Sequence, residues 1–368
     1  MCGYSSTDDE KYMRHAIELA KKGLGWTNPN PMVGAVIVKD GKIIGEGYHK
    51  KYGELHAETS ALNNCTKSPE GATIYVTLEP CCHHGKQPPC TEAIIKAGIK
   101  RVVIGSLDPN SLVSGKGMQI LREHNIQVNN KLVCNRECID MNYVFFHYIK
   151  EKLPYVIVKY AQTLDGKIAT HNGLSKWITG EAARENVHMD RHRYSAIMVG
   201  INTVLKDDPM LNCRSKAIEN PHQPVRIVCD TKLRIPYDSN LVKTAGQIPV
   251  WIVTCCHDKE RINMYEKAGC EIIAMEGEKI DIAQLMIILG RREIDSCICE
   301  GGAELNWSVI KSGMVKRIQA YIAPKIFGGV DAPVSVAGVG FDAPDDALKL
   351  KDYTVTRLGD DILIEGEV

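Results

Sequence analysis

Two runs of the chain, His56-Ala57-Glu58 and Pro80-Cys81-Cys82-His83-His84-Gly85-Lys86-Gln87-Pro88-Pro89-Cys90, decide how its first part folds and what chemistry that part can carry. A catalytic zinc ion usually takes three protein ligands of imidazole or thiolate type and leaves its fourth position to water. His56, Cys81 and Cys90 supply such a set. Two adjacent residues seldom reach one metal, so Cys81, which directly follows Pro80, is read as the ligand and Cys82 as a buried or outer thiol. Glu58 lies two residues past His56 on an opening helical turn. From there its carboxylate can reach a water at the open position without binding the metal, which is a general acid/base position. A purely structural zinc knuckle would ask for a fourth Cys or His and would have no use for Glu58.

Around these runs the apolar spacing predicts alternating helices and strands. Tyr12, Ala16, Leu19 and Ala20 mark an amphipathic helix over Asp8 to Lys22. Strands follow at 32–38 and 42–48, joined at Asp40-Gly41, a hairpin signal. A helix over 58–65, a strand over 73–78, a helix over 91–97 and a strand over 101–105 come next. A helix over 119–124 and a strand over 127–132 close the series, and an α/β layer structure is implied. His56-Ala57-Glu58 and Cys90 then start two different helices, where free N–H groups and the positive dipole end favour a thiolate.

H-x-E followed by P-C and a later Cys is the pattern of the zinc nucleobase deaminases, although eight residues separate Cys81 from Cys90 in place of the short C-x-x-C. The order of elements resembles the cytidine-deaminase-like three-layer α/β/α fold. Asn30-Pro31-Met32-Val33-Gly34-Ala35-Val36, Tyr52-Gly53-Glu54-Leu55-His56-Ala57-Glu58, Thr77-Leu78-Glu79-Pro80-Cys81 and Asp108-Pro109-Asn110 with Gly115-Lys116-Gly117 narrow it further. They resemble the deaminase half of the bifunctional deaminase/reductase family of riboflavin biosynthesis. The resemblance implies that Asn30, His49 and Lys86 contact the pyrimidine or its ribosyl phosphate, with His49 as a surface histidine the plain alternative. Cys82 and Ser111 depart from the Ser and Pro usual in the family.

An aromatic-rich stretch with Tyr143, Phe145, Phe146 and Tyr148, then Lys150-Glu151-Lys152 and Pro154, places a linker at about Lys150. A deaminase domain over 1–149 and a reductase domain over 150–368 are expected. The second half again alternates: strands at 155–161, 195–200, 225–230, 250–254, 271–274, 296–300, 317–322 and 353–358, with a helix at 181–193 and a strand-like end over 354–365. No G-x-G-x-x-G follows its first strand, so an ordinary Rossmann site is not expected. The glycine pair Gly301-Gly302 between a buried strand and Ala303-Glu304-Leu305-Asn306-Trp307 is the best phosphate cradle, because glycine lets backbone approach an anion and a helix start offers N–H groups.

With Thr163-Leu164-Asp165-Gly166-Lys167, Ser175-Lys176-Trp177-Ile178-Thr179 and Thr203-Val204-Leu205-Lys206-Asp207-Asp208-Pro209, this cradle resembles the reductase half of the same family, whose α/β fold is like dihydrofolate reductase. The resemblance implies NADPH, touched by Ala161, Trp177, Thr203, Asp207 and the backbone of Gly302, Ala303, Glu304, Leu305, Asn306, Trp307 and Ser308. It implies a phosphoribosyl substrate held by Ser175, Arg191, Leu211, Arg214 and Glu300. Arg191 and Arg214 suit a phosphate, since a guanidinium fork binds it bidentately. Lys159 or Asp207 would place or supply the proton.

Composition bounds the alternatives. Apolar residues make up 44% of 368, which excludes a disordered chain, and 45 basic against 45 acidic side chains leave no net charge for a nucleic-acid groove. A nucleic-acid-editing deaminase with an accessory domain is therefore the weaker reading, as is a zinc-stabilised nucleotide-binding protein. The polar, acidic start at Met1 to Lys11 is no signal peptide, and no apolar run reaches the ~18 residues of a membrane span. A cytoplasmic enzyme with reduced thiols is expected, handling small-molecule phosphoribosyl pyrimidines, without nucleic acid or membrane. The family resemblance adds a homo-oligomer.

Overall fold

A computed structural model describes residues 6–83, 88–110 and 114–368. Lys86 and Ser111, both singled out above, lie outside the described residues. The chain divides into two compact units, Met1–Lys152 and Leu153–Val368, each with its own sheet. Among the described residues no helix is long and apolar enough to cross a membrane.

The first unit runs α1 (Ser6–Lys21), β1 (Gly34–Lys39), β2 (Lys42–Tyr48), α2 (Ala57–Asn63), β3 (Thr73–Val76), α3 (Cys90–Lys96), β4 (Arg101–Ile104), α4 (Lys116–Glu123), β5 (Gln127–Val128), α5 (Asn135–Met141) and α6 (Tyr143–Glu151). Its sheet has the order β2-β1-β3-β4-β5, antiparallel at β2-β1-β3 and parallel beyond. The hairpin turns at Asp40 and Gly41, both with positive φ, the geometry that matches strand twist. Because side chains alternate along a strand, β1 feeds two cores. Ala35 and Ile37 meet Ala57 and Ala61 of α2, Ile94 of α3 and Leu121 of α4. Val36 and Val38 meet Met13, Ala16 and Ala20 of α1. The result is the expected three-layer α/β/α sandwich.

Glycine decides how closely one layer lies. A Cβ at Gly47 would collide with the backbone of Ala57 and Ala61, so α2 rests directly on β2 and its first turn is held in place. The strand expected over 127–132 is shorter than its apolar pattern suggests. After Val128 the Asn129 amide takes over the rung, accepting from Ile104 N–H at 2.9 Å and donating to Ile104 C=O at 3.3 Å.

The second unit runs β6 (Tyr155–Thr163), α7 (Glu181–Arg193), β7 (Ala196–Gly200), α8 (Ile201–Asp207), β8 (Val225–Cys229), α9 (Asn240–Lys243), β9 (Val250–Thr254), α10 (Lys259–Lys267), β10 (Glu271–Ala274), α11 (Ile282–Arg291), β11 (Ser296–Cys299), α12 (Ala303–Lys311), β12 (Val315–Ala323), β13 (Lys351–Leu358) and β14 (Asp361–Glu367). The order is β10-β9-β8-β7-β11-β6-β12-β14-β13, parallel from β10 to β12 and antiparallel at the last two strands. The strand-like end read over 354–365 is thus two strands, reversed at Gly359, whose φ of 66° suits glycine. One face packs Val156, Met198 and Cys297 on Leu285 and Leu289 of α11 and Val309 of α12. On the other, Ala183 and Val187 of α7 cover Tyr321 and Leu363.

Candidate active sites

In the first unit the donor atoms of His56, Cys81 and Cys90 lie within 4.8 Å of one another. His56, in extended conformation, caps α2, and Cys90 opens α3. His56 Nδ1 faces both sulfurs, 3.3 Å from Cys90 Sγ and 3.5 Å from Cys81 Sγ, while Cys90 N–H donates to Cys81 Sγ at 3.3 Å. Hydrogen bonding to Cys90 and His56 pulls the Cys81 thiol down toward its ionised form, which is the form that ligates. One imidazole and two thiolates suit zinc, and no further Cys or His joins the set among the described residues. Cys82 stays outside it and is half-buried, not fully buried.

Glu58, 4% exposed, sits in the first turn of α2. Burial, reinforced by Cys81 and opposed by His56, pushes its carboxyl up to about 7. A carboxyl poised there can both take and give a proton at neutral pH. His49 is 3% exposed and so is no surface histidine. Its Nδ1 pairs with Leu55 C=O at 3.1 Å, its Nε2 faces Asn30 Nδ2 at 3.4 Å, and its ring stands edge-on to His56 at 5.5 Å. Asn30, His49 and the metal set therefore converge. Glu79, quoted above only within a motif, was given no role of its own. Buried beside the metal turn, its carboxylate accepts from Gly115 N–H at 2.9 Å and Met118 N–H at 3.2 Å, tying the start of α4 to Pro80-Cys81. Only its place two residues before Cys81 could have pointed to it.

The second unit holds a cavity of about 1130 Å³ at the carboxyl ends of β6, β7, β8 and β11, where open parallel sheets bind their ligands. That exceeds an ordinary single-ligand pocket of roughly 300–1,000 Å³ and leaves room for two molecules. Lys159, Ala161, Ser175, Trp177, Arg191, Thr203, Asp207, Leu211, Arg214 and Glu300 line it, with Gly302 to Asn306 and Ser308. Trp307 does not. Its side chain lies on the other side of α12, buried edge-on against Phe341 at 5.2 Å, because a residue one position from its neighbours turns through about 100° on a helix.

At the floor, Arg191 closes its fork on Glu300, Nε to Oε1 at 2.7 Å and Nη2 to Oε2 at 2.8 Å, and its Nη1 donates to Asn212 C=O at 3.1 Å. Lys159 Nζ stands 3.7 Å from the same carboxylate and 5.4 Å from the centre of the Tyr321 ring. Burial alone would raise the Glu300 carboxyl; Arg191 and Lys159 together hold it at about 2. The same burial pulls the Lys159 ammonium below its usual range, with Glu300 opposing. Three of the five guanidinium N–H groups of Arg191 are thereby engaged by Glu300 and Asn212, while the residue still lines the cavity. Arg214 is exposed and donates to the Asn212 side chain.

Gly301 and Gly302 have φ of 117° and 80°, and Gly200 N–H donates to Gly301 C=O at 3.0 Å, so the turn before α12 is stapled to the end of β7. Trp177, 63% exposed, lies under the Arg184 guanidinium at 4.4 Å. Arg184, His188 and Tyr321 also line the cavity without having been singled out. The signal for the first two was helical spacing, seven and three residues before Arg191.

Comparisons with known proteins agree with both halves. The family described as the cytidine and deoxycytidylate deaminase zinc-binding region matches residues 6–106, and the RibD C-terminal domain matches residues 154–364. The riboflavin biosynthesis protein RibD of Actinobacillus pleuropneumoniae is 50% identical over 364 residues, covering 98% of this chain and 96% of that one. Its counterpart in Escherichia coli is 37% identical over 366 residues, with 97% and 98% covered. A solved diaminohydroxyphosphoribosylaminopyrimidine deaminase/5-amino-6-(5-phosphoribosylamino)uracil reductase from Thermotoga maritima superposes with a TM-score of 0.88 at 38% identity, covering 99% of each chain. With a zinc-type donor set beside a buried carboxyl in one unit and a cofactor-sized cavity in the other, the chain belongs to the RibD family, the bifunctional deaminase/reductases of riboflavin biosynthesis.

Proposed function

We propose that the first unit hydrolytically deaminates a diaminopyrimidinone ribosyl phosphate and that the second reduces the ribosyl group of 5-amino-6-(5-phosphoribosylamino)uracil to ribityl with NADPH. The observation that carries the first step is the convergence of three soft donors within 4.8 Å on the buried carboxyl of Glu58. Zinc held by His56, Cys81 and Cys90 would supply the Lewis acidity that makes water a nucleophile near neutral pH. Glu58 takes the proton of the attacking water and hands it to the departing ammonia. Asn30 and His49 orient the pyrimidine, and the buried, neutral His49 offers an acceptor without bringing a charge. Lys86 completes the substrate contacts.

For the second step NADPH would supply the hydride to C1′ of the ribosyl group. Gly302 to Asn306, Ser308, Thr203, Asp207, Ala161 and Trp177 seat the dinucleotide, with Arg184 stacked behind Trp177 to keep the indole against it. Lys159 delivers the proton to the atom that gains the electron pair. Its lowered affinity for a proton suits it to that task better than the exposed Asp207, and Glu300 and Arg191 hold it in place. Ser175, Leu211 and Glu300 hold the sugar, and Arg214 is a cation for the phosphate.

Glu58→Gln tests the reading. Zinc content should stay at one per chain while ammonia release falls by roughly 10²–10⁴, the usual worth of a positioned acid/base group. NADPH oxidation with the already deaminated substrate should continue. Undiminished ammonia release, or deamination of an oligonucleotide but not of the free pyrimidine nucleotide, would refute it.

A further inference from the structure

Helix α7 turns Arg184, Val187, His188 and Arg191 toward the cavity, the i, i+3, i+4, i+7 stripe of one helical face. The roles above use Arg191 and, through Trp177, Arg184; His188 has none. It is held from two sides. Arg214 N–H donates to its Nδ1 at 3.3 Å, and the Cys213 thiol donates to its carbonyl at 3.0 Å. A neutral imidazole whose Nδ1 accepts from backbone carries its proton on Nε2. Burial, with Arg191 and Arg214 adding to it, lowers the ring's affinity for a second proton, so the neutral form prevails near pH 7.

The charges nearby say what such a donor would meet. Glu300 neutralises Arg191, and Lys159 shares the same carboxylate. Arg214 lines the same wall with its guanidinium on the Asn212 amide oxygen, and its backbone is the group that fixes His188. We propose that His188 is a second recognition group for the substrate's phosphate, donating Nε2–H to a phosphate oxygen beside the Arg214 guanidinium. The proposal rests on the reading of Arg214 as the phosphate cation. A long arginine supplies charge, and a ring anchored to backbone supplies direction, which a phosphate distinguishes from a hydroxyl by its acceptor strength.

The test compares the phosphorylated reductase substrate with its 5′-hydroxyl analogue in the full-length zinc-loaded enzyme. His188→Ala should raise KM for the phosphorylated compound roughly ten- to hundredfold, the worth of one hydrogen bond to a charged group. It should leave kcat, KM for NADPH and all constants for the analogue unchanged. His188→Gln, whose amide keeps a donor, should recover most of the loss. Ammonia release by the deaminase unit checks that the variants are folded. An equal rise in KM for both compounds, or none for either, overturns the proposal. Arg214→Ala, run alongside, separates the two failures. If it too leaves the phosphate effect intact, the phosphate end has been misread; if it abolishes that effect while His188→Ala does nothing, the role of His188 alone falls.

Discussion

The two sites solve the problem of gathering a reactive centre in opposite ways. The proposed deaminase centre takes its donor set from 35 residues of chain, His56 to Cys90, and needs only two helix starts and one turn to assemble it. The proposed reductase centre collects Lys159 from β6, Arg191 from α7, Arg214 from a loop and Glu300 from the end of β11, cavity-lining groups up to 141 residues apart in sequence. A metal ion demands a few donors at short, fixed distances, and short segments can meet that demand. A dinucleotide and a sugar phosphate together demand a surface, which only the carboxyl edge of a sheet can offer. Loss of one group should therefore be all-or-none in the first centre and graded in the second.

Cys81→Ala gives the sharpest break. Zinc should drop well below one per chain and ammonia release by roughly a thousandfold or more, because water is no longer activated. NADPH oxidation with deaminated substrate should persist; joint loss of both activities would undo the contrast. Arg191→Met comes next. It strands the buried carboxylate of Glu300, at a cost of about 3–5 kcal/mol and roughly 10 °C in Tm. Reduction should fall in part while ammonia release at 25 °C survives, and a Tm within about 2 °C of the parent would show that the pair is not what holds the floor together.

The smallest effect concerns Asp190, whose Oδ2 has no hydrogen-bond partner among the described residues and whose carboxyl burial pushes up to about 7. Below the unfolded value near 4 both states hold the proton and nothing is lost. Between about 4 and 7 the unfolded chain ionises while the fold keeps the proton, so stability falls as pH rises across that window. Asp190→Asn should remove the slope, adding roughly 1–3 kcal/mol above pH 7 and almost nothing at pH 4. Thermal melts of parent and variant at pH 4, 6 and 8 measure it, and parallel curves would show that the fold bears no such cost.

Much of this is legible in the amino-acid sequence. Apolar runs placed the helix at Glu181–Arg193 and the strand at Val250–Thr254 to the residue, because a buried parallel strand and a helix between charged turns leave unmixed periodicities. The clustering of His56, Cys81 and Cys90 was legible because H-x-E and P-C tie residue type to backbone position. The end of β5 was not, since a side-chain amide at Asn129 replaced a backbone rung that apolar spacing alone would have continued.

The sequence alone determined which residue types the chemistry could draw on: the imidazole, thiols and carboxyl of the first centre, and the glycine pair, lysine and arginines of the second. It did so because reactivity belongs to side-chain atoms and the turns that present them are local. Only the tertiary structure decided which of them are spent on one another. Arg191 closes on Glu300, His49 is buried against Asn30, Trp307 turns away from the cavity and His188 is pinned by Arg214. Those outcomes depend on which faces of distant elements meet, and burial sets the strength of every charge there by removing the water that would otherwise screen it.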